Sequence, residues 1–452
     1  MGKAKNRKNR SLAAAFGQKW ALGLPFVFGE TELTPTAGER LPDESLIELV
    51  KESSESRDVV LQHRAGKHTT TSRQLEHAGR QYIPIKMDPG LVQQLRLPTE
   101  SLPYGSTAGL VNQISTIVMQ VSGLSAEDAF LCAVFAIASC FADFLPIQLC
   151  LWLLGFANAE ARSLLRVLNW LCWHPLLQVD DKGMDDLPQN LTVTRLFYAP
   201  RPSPKLRKLI SNSNALGFAV LRGGSLREHR GAIVVYSGSA DPGDDCEDTH
   251  LHISVVPGMR LLGPGDEERY RAAVNEVRGK LYNYRLAHYE EVLTSEFDVS
   301  DLTGSTRQVA RGLGACLINA PELRDRLIAL LRDQNESVRA EQIAEMSPVL
   351  EALIVVCHER RKDVHVGEIA KLASEILEVR GERIGLSPKE VGSKLKSLGL
   401  RTCRLDAGGR GFKLTQEICA RIHQAAKAFG VPAIENGFEA CPHCRTIRGD
   451  VI

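Results

Sequence analysis

The chain has 452 residues, a formal net charge of +1, 44% hydrophobic and 24% charged residues, which suits a globular protein of two to four domains. The near-neutral charge excludes a bulk attraction to nucleic acid, so any such attraction has to come from local patches. Eleven cysteines lie mostly in apolar runs, which favours reduced thiols in a cytoplasmic protein over a disulfide framework.

Changes in pattern along the chain predict six segments. They are a basic flexible arm at 1–30, a mixed segment at 31–106, an α/β core at 107–300, a helical connector at 301–360, a winged helix at 361–432 and a tail at 433–452. The basic residues of the arm are either a nucleic-acid contact or a solubilising terminus. The opening has no sustained apolar stretch, so no secretory signal is expected.

Residues 130–156 form the most apolar stretch of the chain. Asp143 and Pro146 interrupt it before it reaches the roughly 20 residues that a membrane span needs. The stretch therefore predicts a buried helix, a short turn and a buried strand, and no membrane partner. Ser125 is the expected N-cap of the helix, with Asp128 returning a hydrogen bond.

The core segment alternates strand and helix patterns. Strands are predicted near 147–154, 191–199, 231–238 and 249–256, with a helix at 162–173 after the first strand. This order predicts a mostly parallel sheet with flanking helices. Further helices are expected over 266–300, 307–332 and 347–359.

The first strand and its helix have the layout of a phosphate-binding loop, whose form is GxxxxGK[ST]. The frame starts at Gly155, but Glu160 replaces the second glycine, Ala161 the lysine and Arg162 the hydroxyl residue. A unit charge about 4 Å from a phosphate charge is worth about 4 kcal/mol at a dielectric near 20, so losing the lysine and gaining Glu160 removes several kcal/mol of phosphate affinity, part of which Arg162 and Arg166 can return. The alternatives are an ordinary strand-to-helix turn, weak nucleotide binding without turnover, or a site completed by a partner.

A nucleotide-hydrolysing site also needs a carboxylate at a strand end to hold magnesium. The strand near 191–199 ends instead in Tyr198 and Ala199, and residues 187–227 contain no Asp or Glu but seven basic residues. ATP and magnesium are therefore not expected as cofactors, and this acid-free stretch is a second candidate for contact with nucleic-acid phosphates.

The C-terminal segment has the pattern of a winged helix. Ser387 as N-cap, Pro388 and Glu390 start a helix over 387–398, and two short strands follow around a glycine-rich turn at 406–409. Helices at 367–377 and 416–429 complete the module. The predicted DNA-binding residues are Lys389, Lys394, Lys396, Arg401, Arg404, Arg410 and Lys413. Lysines chiefly contact phosphate, so little base specificity is expected; the alternative is a protein-docking module with solvated lysines.

Residues from about 82 to 430 resemble the P-loop ATPase region, with its trailing winged helix, of primase–helicase proteins from phages and mobile elements. The matching stretches are YIPIKMDPG, LPYGSTAGLVNQIS, LPIQLCLWLLGFANAEARSLLRVLNWLCWHPLL and GLSPKEVGSKLKSLGLRTCRLDAGGRGFKLT. The resemblance implies an α/β fold: a P-loop-type parallel-sheet core with flanking helices, plus a C-terminal winged-helix domain. Family members keep a lysine, a strand-end acid and an arginine where this chain has Ala161, Tyr198 or Ala199, and Thr249.

The motif CPHC places Cys441 and Cys444 at the spacing of half a zinc site. No second pair of ligands follows at a suitable distance, and Cys403 or Cys419 would have to fold back to complete it. The sequence therefore predicts a tail without metal.

These observations predict a non-catalytic DNA-binding or scaffolding protein, working in replication or maintenance of a mobile element. The core would offer a surface to a protein partner or to a second copy of the chain. The alternatives are a divergent or partner-completed DNA-dependent ATPase or helicase, and a winged-helix transcriptional regulator.

Overall fold

The computed structural model describes residues 26–28, 31–53, 56, 58–66, 68–179, 191–213, 219–222, 225–228, 231–238, 251–302, 304–382, 385–405, 409–431 and 441–448. The chain forms two compact units, 1–333 and 334–452. Most of the predicted basic arm, Thr249, the tip of the predicted hairpin at 406–408, residues 433–440 of the predicted tail and parts of the acid-free stretch lie outside the described residues.

The first unit begins with two four-stranded sheets, where the sequence predicted only loops and short extended pieces. One has the order β1-β2-β8-β7 and the other the order β3-β4-β5-β6. The strands are β1 Phe26–Phe28, β2 Thr31–Thr36, β3 Gly38–Arg40, β4 Leu46–Lys51, β5 Val59–Ala65, β6 His68–Ser72, β7 Leu75–His77 and β8 Arg80–Pro84. A short helix, α1 (Pro89–Gln94), follows and is capped by Asp88.

The centre of the first unit is a five-stranded sheet of order β10-β11-β14-β9-β15, in which all neighbours are parallel. Its strands are β9 Cys150–Leu154, β10 Pro175–Gln178, β11 Val193–Tyr198, β14 Gly231–Ser237 and β15 Leu251–Ser254. The predicted parallel core is thereby confirmed. A separate pair, β12 Ala219–Arg222 and β13 Ser225–Glu228, is antiparallel. The carboxyl ends of the five strands share one edge, which is where α/β proteins place their ligands.

Helices flank this sheet. They are α2 Thr107–Ser122, α3 Ala126–Ser139, α4 Asn158–Leu171, α5 Pro204–Ser213, α6 Asp266–Leu293, α7 Gly304–Ala315 and α8 Pro321–His358. Ser125 caps α3 by accepting from the Asp128 N–H, and the Ser125 hydroxyl donates to the Asp128 carboxylate, as expected. Within the part of the chain that the structure describes, every helix is too short or too polar to traverse a bilayer.

The helices predicted over 307–332 and 347–359 differ most from the structure, while those predicted over 266–300 and 162–173 are found at Asp266–Leu293 and Asn158–Leu171. The single helix predicted over 307–332 is divided into α7 and α8, because Asn319 has a left-handed backbone and Pro321 starts a new helix. The separate helix predicted at 347–359 is the end of α8, which continues through Pro348. Proline removes one helical hydrogen bond there without ending the helix.

A buried ion cluster joins α6 to the N-terminal sheets. Arg285 of α6 donates to Glu48 of β4 at 2.7 Å and to both oxygens of Asp143 at 2.8 and 2.7 Å. Burial raises the pKa of the Glu48 carboxyl to about 7, against the attraction of Arg285, because two carboxylates share one guanidinium away from water. The cluster thus fixes the position of β4 on the core.

The second unit contains the C-terminal part of α8 followed by β16 Asp363–His365, α9 Val366–Val379, α10 Pro388–Ser397, β17 Cys403–Arg404, β18 Arg410–Lys413, α11 Gln416–Ala428 and α12 Pro442–Arg448. The strands form an antiparallel sheet of order β16-β18-β17. Ser387 and Glu390 form the predicted capping box of α10. The predicted tail contains a helix, α12, at 442–448.

Candidate nucleic-acid interface and candidate metal centre

The turn between β9 and α4 is too short to form a phosphate-binding loop in the predicted frame. The strand ends at Leu154 and the helix begins at Asn158, so only three residues separate them. Glu160, Ala161 and Arg162 consequently lie in the first turns of α4. The Ala161 side chain is fully buried, so the position that corresponds to the phosphate-binding lysine faces the core.

Gly155 has a structural reason to be glycine. Its φ is +138°, and a Cβ added there would lie 2.2 Å from the backbone oxygen of Val255, just after β15. Only glycine tolerates this backbone with so close an approach. The one glycine that the turn shares with a phosphate-binding loop is therefore needed for packing against the neighbouring segment.

Aromatic side chains fill the sheet edge above this turn. Tyr198 at the end of β11 and Tyr236 near the end of β14 stack at 5.5 Å, and both hydroxyls lie 3.2 Å from the Asn158 side-chain oxygen. Burial raises the pKa of the Tyr236 phenol, which also donates to the Gly155 carbonyl at 2.9 Å. Arg162 lies 5.0 Å above the Tyr198 ring. The end of β11, where a nucleotide-hydrolysing site needs a carboxylate, is therefore covered by two phenols. In the sheet, β14 lies between β11 and β9.

The remaining polar groups of α4 bind other parts of the chain. Glu160 accepts from the Gly258 N–H at 3.1 Å, and Ser163 accepts from the Leu262 N–H at 3.0 Å. Arg166 lies 3.7 Å from the Glu267 carboxylate. These contacts hold the segment after β15 and the start of α6 against α4.

The second unit carries an open groove of about 1010 Å³, which we call the cationic groove. Four of the predicted DNA-binding residues line it: Lys389, Lys396, Arg401 and Arg410. All four are exposed, and none of the described residues that line the groove is acidic. Lys389 and Lys396 share a helix face because seven residues fall about 20° short of two full turns.

The other three predicted DNA-binding residues lie outside the lining of the groove. Lys394 is five residues after Lys389, about 140° around the helix, and its amine lies 2.9 Å from the Glu345 carboxylate. Its side chain is only 19% exposed. Arg404 is exposed opposite Arg410 on the paired strands β17 and β18, and Lys413 is exposed opposite Asp363.

A second cluster of functional side chains lies at the end of α8 and in α11 and α12. The ligand atoms of His358, His423, Cys441 and Cys444 are all within 4.8 Å of one another. His358 Nε2 lies 3.2 Å from Cys444 Sγ and 3.4 Å from His423 Nε2, which is 3.4 Å from Cys441 Sγ. Two histidines thus meet the CPHC cysteines, where the sequence predicted no further ligands and weighed only His443, Cys403 and Cys419.

No family model and no curated protein matches the chain. Among solved structures, an apo structure of the C-terminal region of NrS-1 is similar, with 10% identity over 82% of this chain and 97% of that chain and a TM-score of 0.32. A full-length MCM homolog from Methanopyrus kandleri is similar with 10% identity, over 65% of this chain and 76% of that chain, with a TM-score of 0.34. Likenesses at this level assign neither an activity nor a partner.

Proposed function

We propose that this chain is a non-catalytic DNA-binding or scaffolding protein related to primase–helicase ATPases, and that it holds DNA in the cationic groove of its second unit. The observation that carries the proposal is the groove itself. It is the surface where Lys389, Lys396, Arg401 and Arg410 converge, and the described residues that line it include no carboxylate. In a chain with a net charge of +1, such a concentration of one sign attracts a polyanion.

The order of elements in the second unit supports a winged helix. Strand β16 is followed by two helices, α9 and α10, and then by the paired strands β17 and β18. In a helix-turn-helix protein the second helix enters the major groove while neighbouring elements contact the backbone. In this arrangement α10 presents Lys389 and Lys396 to the duplex, and the strand pair contributes Arg410.

The chemistry of these residues favours backbone contacts. Lysine is a compact charge that pairs with phosphate, whereas Arg401 and Arg410 can each hold a phosphate through two N–H groups. Phosphate contacts position a protein on DNA without reading its sequence. We therefore expect binding that depends steeply on salt and weakly on sequence.

The first unit supports the non-catalytic part of the proposal. The lysine position of the phosphate-loop frame is the buried Ala161, and the space beyond the strand ends holds the Tyr198–Tyr236 stack. The methyl group of Ala161 and the neutral phenols of Tyr198 and Tyr236 can neither neutralise a phosphate charge nor hold magnesium. The core then serves as a scaffold, in replication or maintenance of a mobile element, with ATP and magnesium absent from its function.

The test is a titration of labelled duplex and single-stranded DNA with the full chain and with a variant carrying Lys389→Ala, Lys396→Ala, Arg401→Ala and Arg410→Ala. We expect the wild type to bind and the variant to lose at least tenfold in affinity, with an unchanged thermal unfolding profile. If the wild type fails to bind even at low salt, the groove is a protein-docking surface and the proposal is wrong. If the variant binds as the wild type does, DNA binds elsewhere.

A further inference from the structure

We propose that His358, His423, Cys441 and Cys444 together bind one zinc ion in a closed, structural site. This inference is independent of the proposed DNA-binding function, since none of the four residues lines the cationic groove. It gives the CPHC motif the two ligands that it lacks in the sequence. Both come from helices that precede it in the chain, α8 and α11.

Three of the six distances between the four ligand atoms are close to those of a tetrahedral zinc site, and the other three are at most 4.8 Å. Zinc binds histidine nitrogen at about 2.0–2.1 Å and thiolate sulfur at about 2.3 Å, so a tetrahedron has edges of about 3.3 Å between nitrogens and about 3.6 Å between nitrogen and sulfur. The corresponding distances here are 3.4 Å between the histidine nitrogens, and 3.2 and 3.4 Å between nitrogen and sulfur. These three contacts already have the length that an ion needs, and side-chain rotation can bring the remaining pairs, which lie within 4.8 Å, around the same ion.

The orientation of His423 supports metal binding. Its Nδ1 lies 2.7 Å from the backbone oxygen of Cys419. A carbonyl oxygen can only accept, so Nδ1 carries the proton and Nε2 directs its lone pair into the cluster. A metal-binding histidine usually donates its other ring N–H to a carbonyl or carboxylate in this way, which fixes the orientation of the ring.

The donor set and its burial indicate which metal and which kind of site. Two thiolates and two imidazoles suit zinc, whereas calcium and magnesium prefer oxygen ligands. His423 and Cys444 are fully buried and Cys441 is 8% exposed. Four protein ligands complete the tetrahedron, which leaves no coordination position for water or a substrate. The site is therefore structural.

The ion would hold three separate segments of the second unit together. It would connect the end of α8 and the middle of α11 to α12, a helix of only seven residues. A helix of that length is not stable by itself in water and needs an anchor. Binding converts the two thiols to thiolates, and their two protons pass to the solvent, so affinity rises with pH.

The chain offers three matched controls. Cys419 contributes its backbone carbonyl and not its sulfur to the cluster, and Cys403 is exposed on β17. His443 lies inside the CPHC motif, with its ring 5.3 Å from that of His423, but is not one of the four ligands. Cys419→Ser, Cys403→Ser and His443→Ala are therefore expected to keep the metal.

The experiment measures zinc by mass spectrometry in the full chain, purified under reducing conditions without chelator. We expect one zinc per chain in the wild type and in the three controls, and its loss in Cys441→Ser, Cys444→Ser and His423→Ala. Because a ligand variant can fail to fold, the wild type is also stripped with a chelator and refilled with cobalt. Tetrahedral cobalt absorption with thiolate charge-transfer bands, and a melting temperature that rises by several degrees on refilling, are the expected results.

Three outcomes would overturn the proposal. One is a wild-type chain without zinc that also fails to develop the tetrahedral cobalt spectrum. Another is a disulfide between Cys441 and Cys444 in the freshly purified, reduced chain, which would make CPHC a redox pair. The third is loss of zinc in His443→Ala or Cys419→Ser together with its retention in His423→Ala, which would assign the ion to other ligands.

Discussion

The amine of Lys394 lies 2.9 Å from the carboxylate of Glu345, on the side of α10 away from the cationic groove. Lys396, two residues later, is exposed and lines the groove. The two lysines therefore belong to different surfaces, although the sequence treats them alike. Replacing either lysine with alanine removes one positive charge from α10, so the two variants compare the loss of the same charge inside and outside the groove.

We predict that Lys394→Ala changes the stability of the second unit only slightly. The Glu345 side chain is 72% exposed, and ion pairs with such a solvated partner contribute about 0–1 kcal/mol. Thermal unfolding monitored by circular dichroism, compared at low and high salt, measures the effect. A loss of several kcal/mol would mean that Lys394 also supports the packing of α10.

We predict that Gly155→Ala destabilises the first unit by roughly 3 kcal/mol or more, because the new Cβ meets the Val255 carbonyl in a left-handed backbone. Gly258→Ala is the control: it also has positive φ, but an added Cβ meets nothing within 4 Å, so about 1–2 kcal/mol of backbone strain is expected. Urea unfolding followed by tryptophan fluorescence reports on this unit, since Trp152, Trp170 and Trp173 are buried there. If both variants lost the same free energy of unfolding, the close approach of Gly155 to Val255 would not explain why position 155 is glycine.

We predict that restoring the phosphate-loop lysine does not restore nucleotide binding. Ala161 is fully buried, so Ala161→Lys places a charge in the core and destabilises the first unit by roughly 3 kcal/mol or more. Arg162→Lys, at an exposed position, is expected to be nearly neutral. Binding of a fluorescent ATP analogue with magnesium and urea unfolding check both statements. A stable Ala161→Lys chain that binds ATP would contradict the conclusion that this turn cannot form a phosphate-binding loop.

We predict a pH dependence of stability that originates at Glu48. Burial raises the folded-state pKa of this carboxyl to about 7 from its usual 4.5, so the folded chain keeps a proton that the unfolded chain releases. The contribution of Glu48 to the free energy of unfolding is fully present below pH 4.5 and is lost as the pH rises through 7. The total loss is on the order of 3 kcal/mol. Glu48→Gln removes this dependence and keeps an acceptor for Arg285.

The measurement is the difference in unfolding free energy between the wild type and Glu48→Gln from pH 4.5 to 8. We expect the wild type to lose stability relative to the variant as pH rises through this range. A difference that stays constant with pH would mean that Glu48 is ionised in the folded chain throughout, with Arg285 compensating its charge in full.

The sequence predicted those features of the fold that depend on local residues. Ser387, Pro388 and Glu390 are adjacent, so their capping of α10 is encoded within four residues. Likewise, the apolar periodicity of the core segment predicts its strands and helices, and their alternating order predicts a parallel sheet. The N-terminal sheets were missed because their strands are short and mix buried and exposed residues without strict alternation, as in β5.

The candidate metal centre could not be predicted because its ligands come from distant parts of the chain. His358 and His423 are 65 positions apart in the sequence, and the cysteines nearest to them, Cys357 and Cys419, are not among the four ligands. One signal was available: His423 lies next to Ile422 on the buried face of α11, and a buried histidine needs a partner. Helical periodicity places Lys394 and Lys396 on different faces of α10, but only the structure shows that Lys394 pairs with Glu345 and that Lys396 lines the groove.

The most direct test of the central claim is the salt dependence of DNA binding by the wild type, Lys396→Ala and Lys394→Ala. Each phosphate contact contributes about 0.9 to the slope of log affinity against log salt for duplex DNA. We expect Lys396→Ala to bind more weakly with a slope reduced by about 0.9, and Lys394→Ala to keep the wild-type affinity and slope. Equal effects of the two substitutions, or none from either, would contradict the assignment of the cationic groove as the DNA-binding surface.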